Sequence, residues 1–110
     1  MGYKIKSRIW IESDGNTLLG EGRVHLLKAI DETGSLSKAA KSLNMSYKKA
    51  WNLIDAVNSN AKEPVITTSI GGKGGGGAVL TPYGKHLITL FETINKNCWA
   101  FLETQINENF

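Results

Sequence analysis

Residues 3–12, YKIKSRIWIE, alternate: Ile5, Ser7, Ile9 and Ile11 fall on one face, and Lys4, Lys6, Arg8, Trp10 and Glu12 on the other. That is the period of a half-buried strand. SDGN at 13–16 is a hairpin turn signal, and Thr17–Leu19 can return as a short second strand, which sets a β-hairpin over 3–19. From Glu21 the period lengthens. GRVHLLKAIDET reads as a helix with Val24, Leu27 and Ile30 toward the core and Leu26 flanking. Gly34 can end it in the left-handed conformation, and Ser35 is placed to cap a second helix.

LSKAAKSLNMSYKKAWNLID, residues 36–55, reads as a short helix, a tight turn and a longer helix. Ala39, Ala40, Leu43, Met45, Ala50 and Leu53 supply the inward positions of a helix-turn-helix, and Ala40 is small where the second helix must cross closely. Asn44 stands at the turn, where a left-handed residue is needed. Ser46 can cap the longer helix, whose buried stripe is Ala50, Leu53, Ile54 and Val57. That leaves Tyr47, Lys48, Lys49 and Asn52 at or near its exposed N-terminal end. Donor-rich side chains there suit a recognition helix that enters the DNA major groove. The plainer alternative is a helical hairpin with a solvated lysine pair.

After Pro64, VITTS at 65–69 is rich in β-branched residues and AVLT at 78–81 reads as a second strand. Between them lie six glycines and one lysine at 71–77, so the glycines form the tip of a hairpin after a helix-turn-helix, a wing over 65–81. A tip without side chains can bring Gly72, Gly74 and Gly75 backbone N–H groups against phosphates or into a narrow minor groove, while Lys73 supplies charge. Gly72, Gly74 and Gly77 also satisfy G-x-G-x-x-G as text, but strand rather than helix follows. A Walker loop fails because Lys73 is followed by Gly74. A tip without function is the remaining alternative.

Thr81-Pro82 is a helix start, and the helix is expected over 82–106. Leu87, Phe91, Ile94, Cys98 and Phe101 follow a 4-3-4-3 spacing, with Leu90, Trp99, Leu102 and Ile106 on other sides. Apolar surface on more than one side calls for cover from a dimer partner. The whole, 1–110, is expected to be one α+β domain: an N-terminal β-hairpin, a three-helix core over 21–60, the wing and a long dimerisation helix.

Charge adds to this. Net charge is +3, but seven lysines between Thr33 and Lys85 face only Asp55 and Glu63, which suggests an anionic partner for the middle of the chain. His25 and His86 lie on separate helices with no metal-binding spacing, no carboxylate pair suggests acid–base work, and Cys98 reads as a small hydrophobe. No enzyme, metal or cofactor is expected. Trp51 and Trp99 are read as core or interface, Trp10 as facing solvent or a partner. No apolar run approaches a membrane span and no secretory signal opens the chain, while MGYKIKS fits a myristoylation pattern that often matches by chance. The single cysteine fits a cytoplasmic location.

LLKAIDETGSLSKAAKSLNMSYKKAW (26–51) and GGKGGGGAVLTPYG (71–84) stand in order within a run, Gly22 to Phe101, that resembles the N-terminal DNA-binding domain of the ModE family. These are molybdate-responsive transcription regulators; the likeness to LysR-type winged helices is more distant. The resemblance implies a DNA-binding homodimer that contacts itself through the last helix. It also implies that Ser46, Tyr47, Lys48, Lys49, Asn52 and Lys73 lie on the DNA side. Full-length ModE carries molybdate-binding domains after this region, whereas this sequence stops at Phe110. The expectation is therefore a stand-alone transcription regulator of double-stranded DNA with no small-molecule effector site. A protein-interaction adaptor using the same fold without DNA is the alternative.

Overall fold

The structure, a computed structural model, describes residues 2–69 and 77–110. The elements run β1 (Trp10–Ser13), β2 (Asn16–Gly20), α1 (Glu21–Thr33), α2 (Leu36–Ser42), α3 (Tyr47–Asn60), β3 (Ile66–Thr68), β4 (Ala78–Leu80) and α4 (Pro82–Asn109). β1–β2 and β3–β4 are separate antiparallel pairs.

The first hairpin turns through Asp14 (φ 50°) and Gly15 (φ 83°), the paired positive values that match strand twist in a two-residue turn. Ile11 pairs Leu19 but Glu12 pairs Thr17, so Leu18 is an extra residue. This bulge breaks the alternation and lets the consecutive Leu18 and Leu19 both enter the core.

The strand expected from residue 3 begins only at Trp10. Trp10 pairs Gly20, and Glu21 already starts α1, so a strand continued back through Ile9 would have no partner. Residues 2–9 instead form an arm along α4. The Ser7 Oγ lies 3.8 Å from the Cys98 Sγ, and the Tyr3 and Phe110 ring centroids are 4.7 Å apart.

α1 is the central helix, touched by α2, α3, α4, β2 and β4. It therefore buries Leu26 and Ala29 as well as Val24, Leu27 and Ile30, so Leu26 is core rather than flank. Gly34 ends α1 at φ 67° and donates its N–H to the Ile30 carbonyl at 2.7 Å. The Ser35 hydroxyl then accepts from Lys38 N at 3.1 Å and starts α2.

α4 is seated at its start. Thr81 Oγ1 accepts from Gly84 N at 3.0 Å and lies 2.7 Å from the Pro64 carbonyl oxygen, tying the cap to the chain before β3. Leu87, Ile88 and Phe91 are buried. Beyond Phe91 (3% exposed) the helix leaves the core, so Ile94 at 43% and Phe101 at 61% are exposed and, of the expected apolar stripe, Leu87 and Phe91 alone are buried. Two exposed ion pairs, Lys28–Glu92 at 2.8 Å and Lys85–Asp31 at 4.0 Å, join α1 to α4.

Candidate nucleic-acid interface

The turn between α2 and α3 is set by backbone chemistry. Leu43 N and Met45 N both donate to the Ala40 carbonyl, at 3.1 and 3.0 Å, and Asn44 N donates to that of Lys41 at 3.2 Å. Asn44 carries the left-handed φ of 55° that this closure demands. Ala39, Ala40 and Ala50 are fully buried where α2 and α3 approach. Leu43, Met45 and Leu53 are only half-buried and pack against the edge of the core.

α3 begins where Ser46 caps it, its Oγ accepting from Lys49 N at 3.1 Å. The Ser46 acceptor is thus committed to the helix, leaving its hydroxyl proton for a partner. Tyr47, Lys48 and Lys49 occupy the first turn, and all three are exposed, as is Asn52 one turn further on. Ala50, Ile54 and Val57 form the buried side. Among the described residues, none of Lys38, Lys41, Lys48 and Lys49 enters an ion pair. Their charge is available to an outside anion.

Of the two places read for Trp51, core or interface, the structure excludes the core. It is 47% exposed, beside Tyr47 at 57%, so it belongs to the outer surface of α3 and not to the core. Tryptophan is usually mostly covered, so residue type alone does not choose between core and interface. Its position was the better signal: it lies next to Asn52 and off the Ala50–Ile54–Val57 stripe.

The second hairpin pairs Ile66 with Leu80, Thr67 with Val79 and Thr68 with Ala78. Ser69 N donates to the Gly77 carbonyl at 2.9 Å, and Gly77 N to the Ser69 hydroxyl at 3.0 Å, closing the pair around residues 70–76. Gly72, Lys73, Gly74 and Gly75 lie outside the described residues. The base of the hairpin is fixed to its neighbours on two sides. Ala78 N donates to the Gly34 carbonyl at 3.1 Å, holding β4 against the α1–α2 corner. Asn58, near the end of α3, accepts from Val65 N at 2.8 Å and Ile66 N at 3.1 Å and donates to the Ile66 carbonyl at 2.9 Å. This clip joins α3 to the hairpin, and the sequence carried no signal for it, since asparagine near a helix end is commonplace.

Elsewhere, a cleft between the arm, α1 and α4 is lined by Arg8, Glu21, His25, Lys28, Glu92 and Asn95. Its charges largely pair with one another: Lys28 with Glu92, and Arg8 with Glu21 at 3.9 Å. Among the described residues no cluster of His, Cys, Asp and Glu could hold a metal, and no helix is long and apolar enough to cross a membrane.

The sequence profile of the bacterial regulatory helix-turn-helix proteins, lysR family, matches residues 22–85, from α1 to the start of α4. The chain belongs to this family. It is 50% identical over 76 residues to the molybdenum-pterin-binding protein MopB of Rhodobacter capsulatus, covering 69% of this chain and 28% of that one. It is 39% identical over 88 residues to the molybdenum transport protein ModE of Azotobacter vinelandii, covering 80% and 33%. With the DNA-binding transcriptional dual regulator ModE of Escherichia coli K12 the identity is 46% over 72 residues, covering 66% and 28%. The chain thus spans a third or less of the length of these curated relatives.

Proposed function

We propose that this helix-turn-helix regulator binds double-stranded DNA sequence-specifically as a homodimer, with α3 in the major groove and the glycine-rich wing on the backbone or in the minor groove. The observation that carries the reading is the capped start of α3, which offers Tyr47, Lys48, Lys49 and Asn52 outward, with neither lysine in an ion pair among the described residues. A groove about 12 Å wide admits one helix, and lysines at its lip reach phosphate while an asparagine can pair with the N6/N7 edge of adenine. The Asn58 clip and the Ala78–Gly34 bond support a fixed spacing between α3 and the hairpin, so both elements can meet one duplex together. Lys73 at the tip adds a phosphate contact in this scheme. The exposed stripe Leu90, Ile94 and Phe101 on α4 supports self-association, which two-fold DNA sites require. Regulation of molybdenum-related genes is suggested by the names of the relatives and rests on those names alone.

Duplexes selected from a random pool test the division of labour. Asn52→Ala should cost about 1–3 kcal/mol on the selected site and almost nothing on random DNA. Lys73→Ala should weaken both alike, and should flatten the dependence of log K on log salt by about 0.9. Equal, non-selective effects of the two substitutions refute this assignment of roles. The second reading, a protein-interaction adaptor, draws on the exposed Tyr47 and Trp51; binding to every duplex with a salt slope near zero would favour it.

A further inference from the structure

Tyr47, Lys48, Trp51 and Asn52 stand at i, i+1, i+4 and i+5 on α3, a spacing that makes them one contiguous surface patch over the first two turns. All four are exposed. Trp51 is the one member with no polar group able to satisfy a phosphate or a base acceptor except its indole N–H, and that N–H has no hydrogen-bond partner among the described residues. Its ring is not stacked either: among the described residues the aromatic pair is Tyr3 with Phe110. A large ring half in water, between a lysine and an asparagine, loses hydrophobic stabilisation that a buried site would recover.

We infer that Trp51 is a specificity-determining residue that reads the C5-methyl group of thymine on the floor of the major groove. The inference rests on the DNA reading above and goes beyond it by naming the base feature recognised. Charge complementarity selects the partner: the ring is bordered by Lys48, which enters no ion pair among the described residues, so the surface it meets is anionic at its rim and apolar at one point. A DNA major groove has this character, since the thymine methyl is the apolar group among its donors and acceptors. Asn52, adjacent in the patch, has the chemistry to hold an adenine edge. Together the two side chains fit A·T pairs, one through the purine and the other through the pyrimidine methyl. Lys48, one turn before Asn52, then stays with the phosphates.

The test uses the wild-type chain and a duplex selected from a random pool, with its thymines replaced one at a time by deoxyuridine. Each contacted methyl lost should weaken wild-type binding about fourfold. Trp51→Ala should bind the thymine and deoxyuridine duplexes alike, with the salt slope of the wild type. The inference is overturned if wild-type affinity ignores every methyl, or if Trp51→Ala keeps the wild-type preference for thymine. Should that variant fail to fold, 5-bromodeoxyuridine at the methyl-sensitive position decides with the wild type. Photocrosslinking to the peptide that carries Trp51 supports the assignment, and crosslinking elsewhere removes it. A wild type that binds no duplex at all removes the DNA reading and this one with it, whereas duplex binding without methyl discrimination removes this one alone.

Discussion

Gly84 lies in the first turn of α4 with its backbone pressed against Val65, the residue before β3. A methyl group there would overlap the Val65 carbonyl oxygen and sit 3.0 Å from its Cγ1 and 3.2 Å from its carbonyl carbon. The oxygen cannot simply retreat, because it accepts from Thr81 N at 2.9 Å and lies 3.2 Å from Thr81 Oγ1, the α4 cap. Val65 N is itself held by Asn58. Forcing a methyl into such a seat costs about 3 kcal/mol, the upper range for overpacking, and the gain in helix propensity returns about 1. Gly84→Ala should therefore destabilise the chain by about 2 kcal/mol, a fall in Tm of about 8 °C for a chain this size. Gly22→Ala is the matched control: it lies in the first turn of α1, and a Cβ there meets nothing within 4 Å. It should be neutral or stabilising by up to about 1 kcal/mol. Differential scanning calorimetry of the two variants beside the wild type reads the contrast. A Gly84→Ala protein melting at or above the wild type would refute the claim that α4 is seated on the base of the second hairpin by contact with the Val65 carbonyl.

The other predictions follow from separate features. Phe101→Glu should keep the wild-type fold and convert a dimer to monomers in sedimentation analysis, whereas Phe91→Glu should unfold the chain, because Phe101 is exposed and Phe91 is core; a wild-type mass of one chain at micromolar concentration contradicts the dimer. Isothermal titration of this chain with molybdate should give no tight, stoichiometric heat, since such an oxyanion needs a cage of N–H and hydroxyl donors; a saturable one-to-one signal sinks that expectation. The Glu92 carboxylate, first by hydrogen bond and then by charge, holds Lys28 above its ordinary 10.5. A raised lysine pKa contributes stability that is complete below 10.5 and fades as pH climbs through the raised value, so the Tm difference between wild type and Lys28→Met should be constant near neutrality and shrink in strong alkali. The pair is exposed, so the difference should be small and reduced by salt.

Features with a local cause were legible in the sequence. Gly34 and Asn44 are left-handed where a helix end and a tight turn require it, and Ser35, Ser46 and Thr81 cap the helices they precede. Each of these follows from a few adjacent residues. Features that depend on a distant partner were not legible. Alternation alone proposed a strand from residue 3, but a strand needs a neighbour, and β2 had none left to offer beyond Gly20. Asn58 gained its role from a backbone stretch that follows it by seven residues and folds back upon it. Residue type left Trp51 open between core and interface, and its place beside Asn52 on α3 put it on the outer surface.

α4 shows the same limit at larger scale, and it bears on function. A period of apolar residues says which side chains share a face; it does not say where the cover on that face stops. The helix of 28 residues is about 42 Å long, and the molecule extends 60 Å in one direction against 30 and 21 Å in the others. The core reaches Phe91 and no further. The arm then lies along the Trp99–Ile106 flank, leaving Ile94 and Phe101 uncovered on the continuation of the face that Leu87 and Phe91 bury. One helix face thus serves the chain's own core in its first three turns and is open in the rest. A partner helix on that open part would pack on the same helix that is seated at Gly84, and the seat is bonded to the second hairpin through Val65 and to α3 through Asn58. Self-association through α4 would therefore fix the distance between two α3 helices through a short chain of hydrogen bonds. Loosening that seat should disturb half-site spacing before it disturbs the contacts of either half.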